Sequence, residues 1–244
     1  LNGNSNVAFY ANGTSGAGPE VKIASGKTIT LAGDKTVGVY SAGGARVQNA
    51  GNIVVGSNGA ALYSKDTGTL TNTGKLTLGK NSAGIYLAEG AGSLSHSGAG
   101  LIESTAEGAK GIVVKSSSAG NFANNAKIKL TGASSIGVYS TGNARTFSNN
   151  GDIEVGNTTN SNQSVGIYML NSGIVKNYKS VKAGNKSIGI YGKDISLENA
   201  NSTVEVGDGA TGIYSKDGNV DLKAGSKLTI GKTLGTNQEA VGLY

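Results

Sequence analysis

Short alternations of apolar and polar residues, closed by Gly, Asn or Ser, follow one another along the whole chain, and no stretch carries the 3.6-residue period of an amphipathic helix. The most regular is a Gly-aliphatic-Tyr tripeptide, present at Gly38-Val39-Tyr40, Gly84-Ile85-Tyr86, Gly137-Val138-Tyr139, Gly166-Ile167-Tyr168, Gly189-Ile190-Tyr191, Gly212-Ile213-Tyr214 and Gly242-Leu243-Tyr244. Ala8-Phe9-Tyr10 and Ala61-Leu62-Tyr63 are variants, and Gly111-Ile112-Val113 fills the remaining gap. From position 10 to 244 the steps are 30, 23, 23, 27, 26, 29, 23, 23 and 30 residues, so the shortest unit is 23 residues and some units carry insertions.

Two further alternations separate successive tripeptides, as in Leu70-Thr71-Asn72-Thr73-Gly74 followed by Lys75-Leu76-Thr77-Leu78-Gly79. The second recurs as Ile29/Leu31, Ile53/Val55, Leu76/Leu78, Ile128/Leu130, Ile153/Val155, Val204/Val206 and Leu228/Ile230, each pair flanking one outward residue. Three short strands per unit, punctuated by Gly and Asn, predict a coil that returns onto itself rather than a meander of hairpins. One coil cannot bury enough apolar surface to offset its chain entropy, but stacked coils pair strand to strand and bring equivalent side chains into ladders. The expected fold is an all-β parallel β-helix of about nine coils, a single unit over residues 1–244. Strand edges open at both ends, with no polar cap, predict a segment of a longer chain whose export signal lies outside it.

These ladders make specific residues candidates. Asn49, Asn72, Asn124, Asn149, Asn177 and Asn199 each follow an aliphatic or Phe by two positions, which predicts an inward amide row passing hydrogen bonds from coil to coil. His96, the chain's one histidine, stands at the same place in Leu94-Ser95-His96 and is read as a substitute within that row. In the tripeptide strand, the aliphatics before and after Gly, as in Val37/Val39 and Ile188/Ile190, are expected inside, with Gly and Tyr outside. Tyr40, Tyr63, Tyr86, Tyr139, Tyr168, Tyr191 and Tyr214 then form an exterior aromatic row.

Composition narrows the function. The 41 Gly and single Pro fall at fixed places, and aromatics are only 5%, so the interior must be built of small aliphatics. With no Cys, disulfides, thiolate metal sites and cysteine catalysis are excluded. The net charge of +6 comes from basic residues spread along strand patterns without an aromatic platform, which argues against nucleic acid. A lone His predicts no metal site and no cofactor. Arg46 and Arg145 are the only arginines, and the Asp residues stand singly in turns, so the chain is not expected to be an enzyme. No apolar run reaches the ~18 residues of a membrane helix.

Binding is expected on insertions into the 23-residue unit, at Asn12 to Glu20, Asn157 to Gln163 and Lys232 to Glu239. The last two leave the coil at the same point, before the Tyr strand. Their candidate residues are Asn157, Thr158, Thr159, Asn160, Ser161, Asn162 and Gln163 in one, and Thr236, Asn237 and Gln238 in the other.

Across essentially its whole length, the alternation of Gly-Ile-Tyr coils with Leu-Thr-Asn-Thr-Gly and Lys-Leu-Thr-Leu-Gly blocks resembles the passenger regions of type V autotransporters, especially the large adhesins of fusobacteria. The resemblance implies a right-handed β-helix on the bacterial cell surface, joined to the outer membrane only through a barrel domain outside this sequence. It also implies a structural or adhesive stalk that attaches to a host-cell or bacterial surface protein or glycan. A polysaccharide-active β-helix enzyme and an ice-binding or assembly scaffold, the latter suggested by Thr28/Thr30 and Thr71/Thr73, are the alternatives.

Overall fold

The computed structural model describes residues 1–13, 18–66, 68–90, 92–115, 120–141, 146–159, 162–170, 173–235 and 238–244. Among these, every regular element is a β-strand, and the strands form three parallel sheets of ten, nine and nine strands. One coil runs through Ala60–Ser64 in the first sheet, Thr69–Asn72 in the second and Lys75–Leu78 in the third, and the chain re-enters the first sheet at Ala83–Leu87. Like residues stack in register: Leu62 pairs with Ile85, Leu70 with Leu94, and Leu76 with Ile102. The repeat thus generates the solenoid that its period predicts.

The interior is a set of aliphatic ladders. In the first sheet Leu62, Ile85, Ile112, Val138 and Ile167 are fully buried, and Ile53, Leu76, Ile102 and Ile128 line up below the third. Phe122 and Phe147 are the large members of the second sheet's ladder, with ring centroids 4.9 Å apart. Parallel strands at ~4.8 Å spacing let these ladders pack as continuous ridges.

The tripeptide strand departs from strict alternation. Gly, not the aliphatic before it, takes the inward place: a Cβ at Gly137 would lie 2.5 Å from Cγ2 of the core residue Ile153 and 2.4 Å from the Gly166 carbonyl oxygen. Gly and the following aliphatic therefore both face inward, and the residue before Gly is turned outward. Ala60 and Ala83, with Val113, form a separate cluster against Tyr63, Tyr86 and Tyr139 on the outer face. This corrects the expectation that Val37 and Ile188 point into the core with Val39 and Ile190. A bend at Gly breaks the period of two.

The outer face of the third sheet carries a row of alternating charge, Glu103, Lys129, Glu154, Lys182 and Glu205, each in register with the next. Lys182 meets Glu205 at 2.9 Å, and Glu103 is met from the outward row beside it by Lys75 at 2.8 Å. Like charges on adjacent rungs are avoided, as cross-strand pairing requires.

Candidate functional site

Because each coil delivers its Tyr at the same register position, the rings stack along the outside of the first sheet. Tyr10, Tyr40, Tyr63 and Tyr86 form one stack, with centroids 5.0 to 5.2 Å apart. Tyr139, Tyr168, Tyr191, Tyr214 and Tyr244 form a second, at 4.6 to 5.3 Å. Val113 separates the two, since it pairs with Tyr86 on one side and Tyr139 on the other. Burial, and then the adjoining phenols, hold the Tyr63 and Tyr168 hydroxyls above the ordinary phenol pKa of 10.0, so these rings stay neutral under physiological conditions.

Both later insertions border this aromatic face. Asn162 and Gln163 line a groove of about 580 Å³ with Tyr139, Tyr168 and Tyr191. Thr158, Gln163 and Gln238 line a neighbouring one of about 530 Å³ with Tyr214 and Tyr244. Gln163 belongs to both, so the two insertions and the second Tyr stack make one continuous surface. Thr158 is pinned, its Oγ accepting from the Ser164 amide at 2.9 Å, and Asn157 Oδ1 accepts from the Asn185 amide at 2.8 Å. Thr159, Asn162, Gln163 and Gln238 are exposed. Asn160, Ser161, Thr236 and Asn237 lie outside the described residues, as do Arg145 and the middle of the insertion at Asn12 to Glu20.

The amide row is internal and runs in one sense. Asn49 Nδ2 donates to Asn72 Oδ1 at 2.7 Å, Asn124 to Asn149 at 3.0 Å, and Asn149 to Asn177 at 2.8 Å. Asn199 is not part of it, which is a second correction. Leu197 pairs with Asn177, and the Asn177 amide instead donates to Ser202 Oγ at 3.0 Å. The cause is a longer turn: five residues lie between Leu197 and Thr203, against two between Asn177 and Ser180, and within it Asn199 Oδ1 caps the Asn201 amide at 2.9 Å. At the other end the row stops at Ile23, the partner of Asn49.

His96 does sit within the row, between Asn72 and Asn124. With Nε2–H donating to the Lys127 carbonyl at 3.2 Å, Nδ1 is the acceptor for Asn72 Nδ2 at 3.1 Å. Only the neutral ring serves both contacts. Burial, opposed by the Lys127 hydrogen bond, holds its pKa below the ordinary 6.5. An unfolded ring therefore takes up a proton that the folded ring refuses. Its contribution to stability is complete above about 6.5 and is lost as pH falls through the lowered folded value. We expect the urea midpoint to decline between pH 7 and 5 by no more than one proton's slope, about 1.4 kcal/mol per pH unit. His96→Asn should flatten that decline. An unchanged slope in the variant would place the titration elsewhere.

Sequence reasoning missed the lysines at the break in the Tyr row. Lys110 takes the outward place held by Ala83 and Ile136 in adjacent coils, and Lys115 lies beyond Val113. The signal was present in Gly111-Ile112-Val113, the tripeptide without a ring. Among the described residues no group of three or more His, Asp or Glu is placed to hold a metal ion, and no helix is long and apolar enough to cross a membrane.

The family model described as the BigA third pectate lyase-like domain matches residues 17–219. No curated protein and no solved structure matches the chain.

Proposed function

The chain belongs to the family of the BigA third pectate lyase-like domain, and from that premise we propose that it is a non-catalytic, adhesive section of a rod displayed on a bacterial surface. The words pectate lyase-like describe a fold. Support for adhesion comes from one observation above the others: coil after coil places a Tyr on one exterior face, and two insertions frame that face with exposed amides. Aromatic rings with polar rims suit both sugars and protein surfaces, since a ring offers large contact area at little entropic cost. The partner is a glycan or protein on a host or bacterial cell, and attachment to the membrane runs through a barrel outside this sequence.

The test is binding of the purified chain to glycan and cell panels. Tyr168→Ala/Tyr191→Ala and Gln163→Ala/Gln238→Ala should each lower binding on the order of tenfold or more, with the circular dichroism spectrum retained. Binding that ignores both variants would remove the tyrosine face from consideration. Release of shortened products from an acidic polysaccharide would overturn the non-catalytic part.

A further inference from the structure

We infer that the break in the tyrosine row at Val113 is a slot for one ring of an anionic sugar, gripped face-on between Tyr86 and Tyr139 with its acid group on Lys110 and Lys115. This deepens the adhesive reading and rests on the tyrosine face being the contact surface.

Geometry supplies the slot. Within each stack, neighbouring rings lie 4.6 to 5.3 Å apart. Tyr86, Val113 and Tyr139 are successive rungs, so two strand spacings, ~10 Å in all, separate the two flanking phenols. Val113 is 2% exposed and packed with Ala83 beneath the flanking phenols, so a ring reaches the place of the missing phenol as Tyr86 and Tyr139 part. The depression at this point is about 310 Å³, and Asn58, Asn81, Lys110 and Lys115 line it beside the two phenols. A ring inserted here has one phenol on each face.

Charge and polarity select the occupant. Lys110 is half-buried, and its Nζ has only a long contact, 3.4 Å, to the Gly108 carbonyl. Burial, and then the charge of Lys115, push its pKa below the ordinary lysine value. Among the described residues neither lysine is in an ion pair, and the nearby Glu107 is held by Lys80 at 2.8 Å. Two uncompensated cations in one depression call for an anion. A pyranose has C–H faces for the phenols and edge hydroxyls for the Asn amides at the rim. A purely aromatic ring would leave the two cations without a counter-charge. The shared chemistry is thus a pyranose bearing carboxylate or sulfate.

The full chain is to be titrated with three hexasaccharides: hyaluronan (carboxylated), heparin-derived (sulfated) and chitin-derived (neutral). Expected is binding of at least one acidic hexamer on the order of tenfold or more above the neutral one, the stronger of the two naming the acid. Val113→Tyr supplies the missing ring and should abolish that binding while leaving the fold intact. Lys110→Gln/Lys115→Gln should weaken it by a similar factor and reduce its salt dependence. Should acidic binding survive both variants yet vanish in Tyr168→Ala/Tyr191→Ala, the slot is wrong and the tyrosine face stands. Survival in all three removes both. Equal binding of neutral and acidic hexamers, no sugar binding at all, or loss in Val113→Tyr of binding to a protein partner alone likewise overturns the sugar assignment.

Discussion

Gly137→Ala is expected to destabilise the rod by about 3 kcal/mol, although it adds a single methyl group. The new Cβ would sit 2.4 Å from the Gly166 carbonyl oxygen and 2.5 Å from Ile153 Cγ2. Neither can retreat: the first is backbone of the adjacent strand, and the second is embedded in a ladder with fully buried neighbours such as Ile128. Gly120→Ala is the control, because nothing lies within 4 Å of its Cβ position. There the lost freedom of the unfolded chain should leave stability unchanged or slightly raised. Urea unfolding of the two variants measures the contrast. Equal midpoints would show that the strand can bend away, and that the inward glycine is a matter of sequence history rather than of space.

The second large effect concerns the buried amides. Asn149 is fully buried and joined on both sides, accepting from Asn124 and donating to Asn177. Asn149→Leu leaves the Asn124 N–H and the Asn177 carbonyl oxygen without partners, at about 1–3 kcal/mol each, so a loss of about 3–4 kcal/mol is expected. Shape is not the obstacle, since Leu197 occupies the equivalent place beside Asn177. The informative variant is the double one. Asn124→Leu/Asn149→Leu removes an orphaned donor together with its acceptor, so its cost should fall short of the sum of the single changes by about 1–3 kcal/mol. Strict additivity would mean that the amides act only on their own turns, as Asn49 does when it accepts from the Gly51 amide at 3.2 Å, and that the bond between coils contributes nothing.

Much of this architecture was legible because period and register are the same information in a solenoid. Once the spacing of the Tyr residues is read, Tyr63 over Tyr86 and Tyr191 over Tyr214 follow, and the rings are 5.1 and 5.0 Å apart. Departures came where a local event breaks the count. Alternation placed Val37 inside, but the bend at Gly38 brings two successive residues to the core and turns Val37 out. Asn199 satisfied the spacing rule after Leu197, yet the strand is Asp194–Leu197, and the longer turn carries Asn199 past the ladder. The two insertions were seen to leave at one point of the coil, which is why they meet at Gln163. The gap in the row was legible in Gly111-Ile112-Val113, but the grouping around it was not, because only the stacking of coils brings Lys110 and Lys115 to one depression with Tyr86 and Tyr139.

The one-way amide row has a consequence for assembly. Every Asn–Asn link points its N–H toward the later coil, so the advancing rim of a partly formed stack offers a bare donor that only an oncoming acceptor can satisfy. A segment docking head-first in the wrong direction would set donor against donor. The relay is interrupted at His96, whose Nε2 turns to the Lys127 carbonyl, so the direction is set only where Asn follows Asn. The Ser202 hydroxyl ends it by accepting the last side-chain N–H and donating its own proton to the Asn177 backbone carbonyl at 2.7 Å.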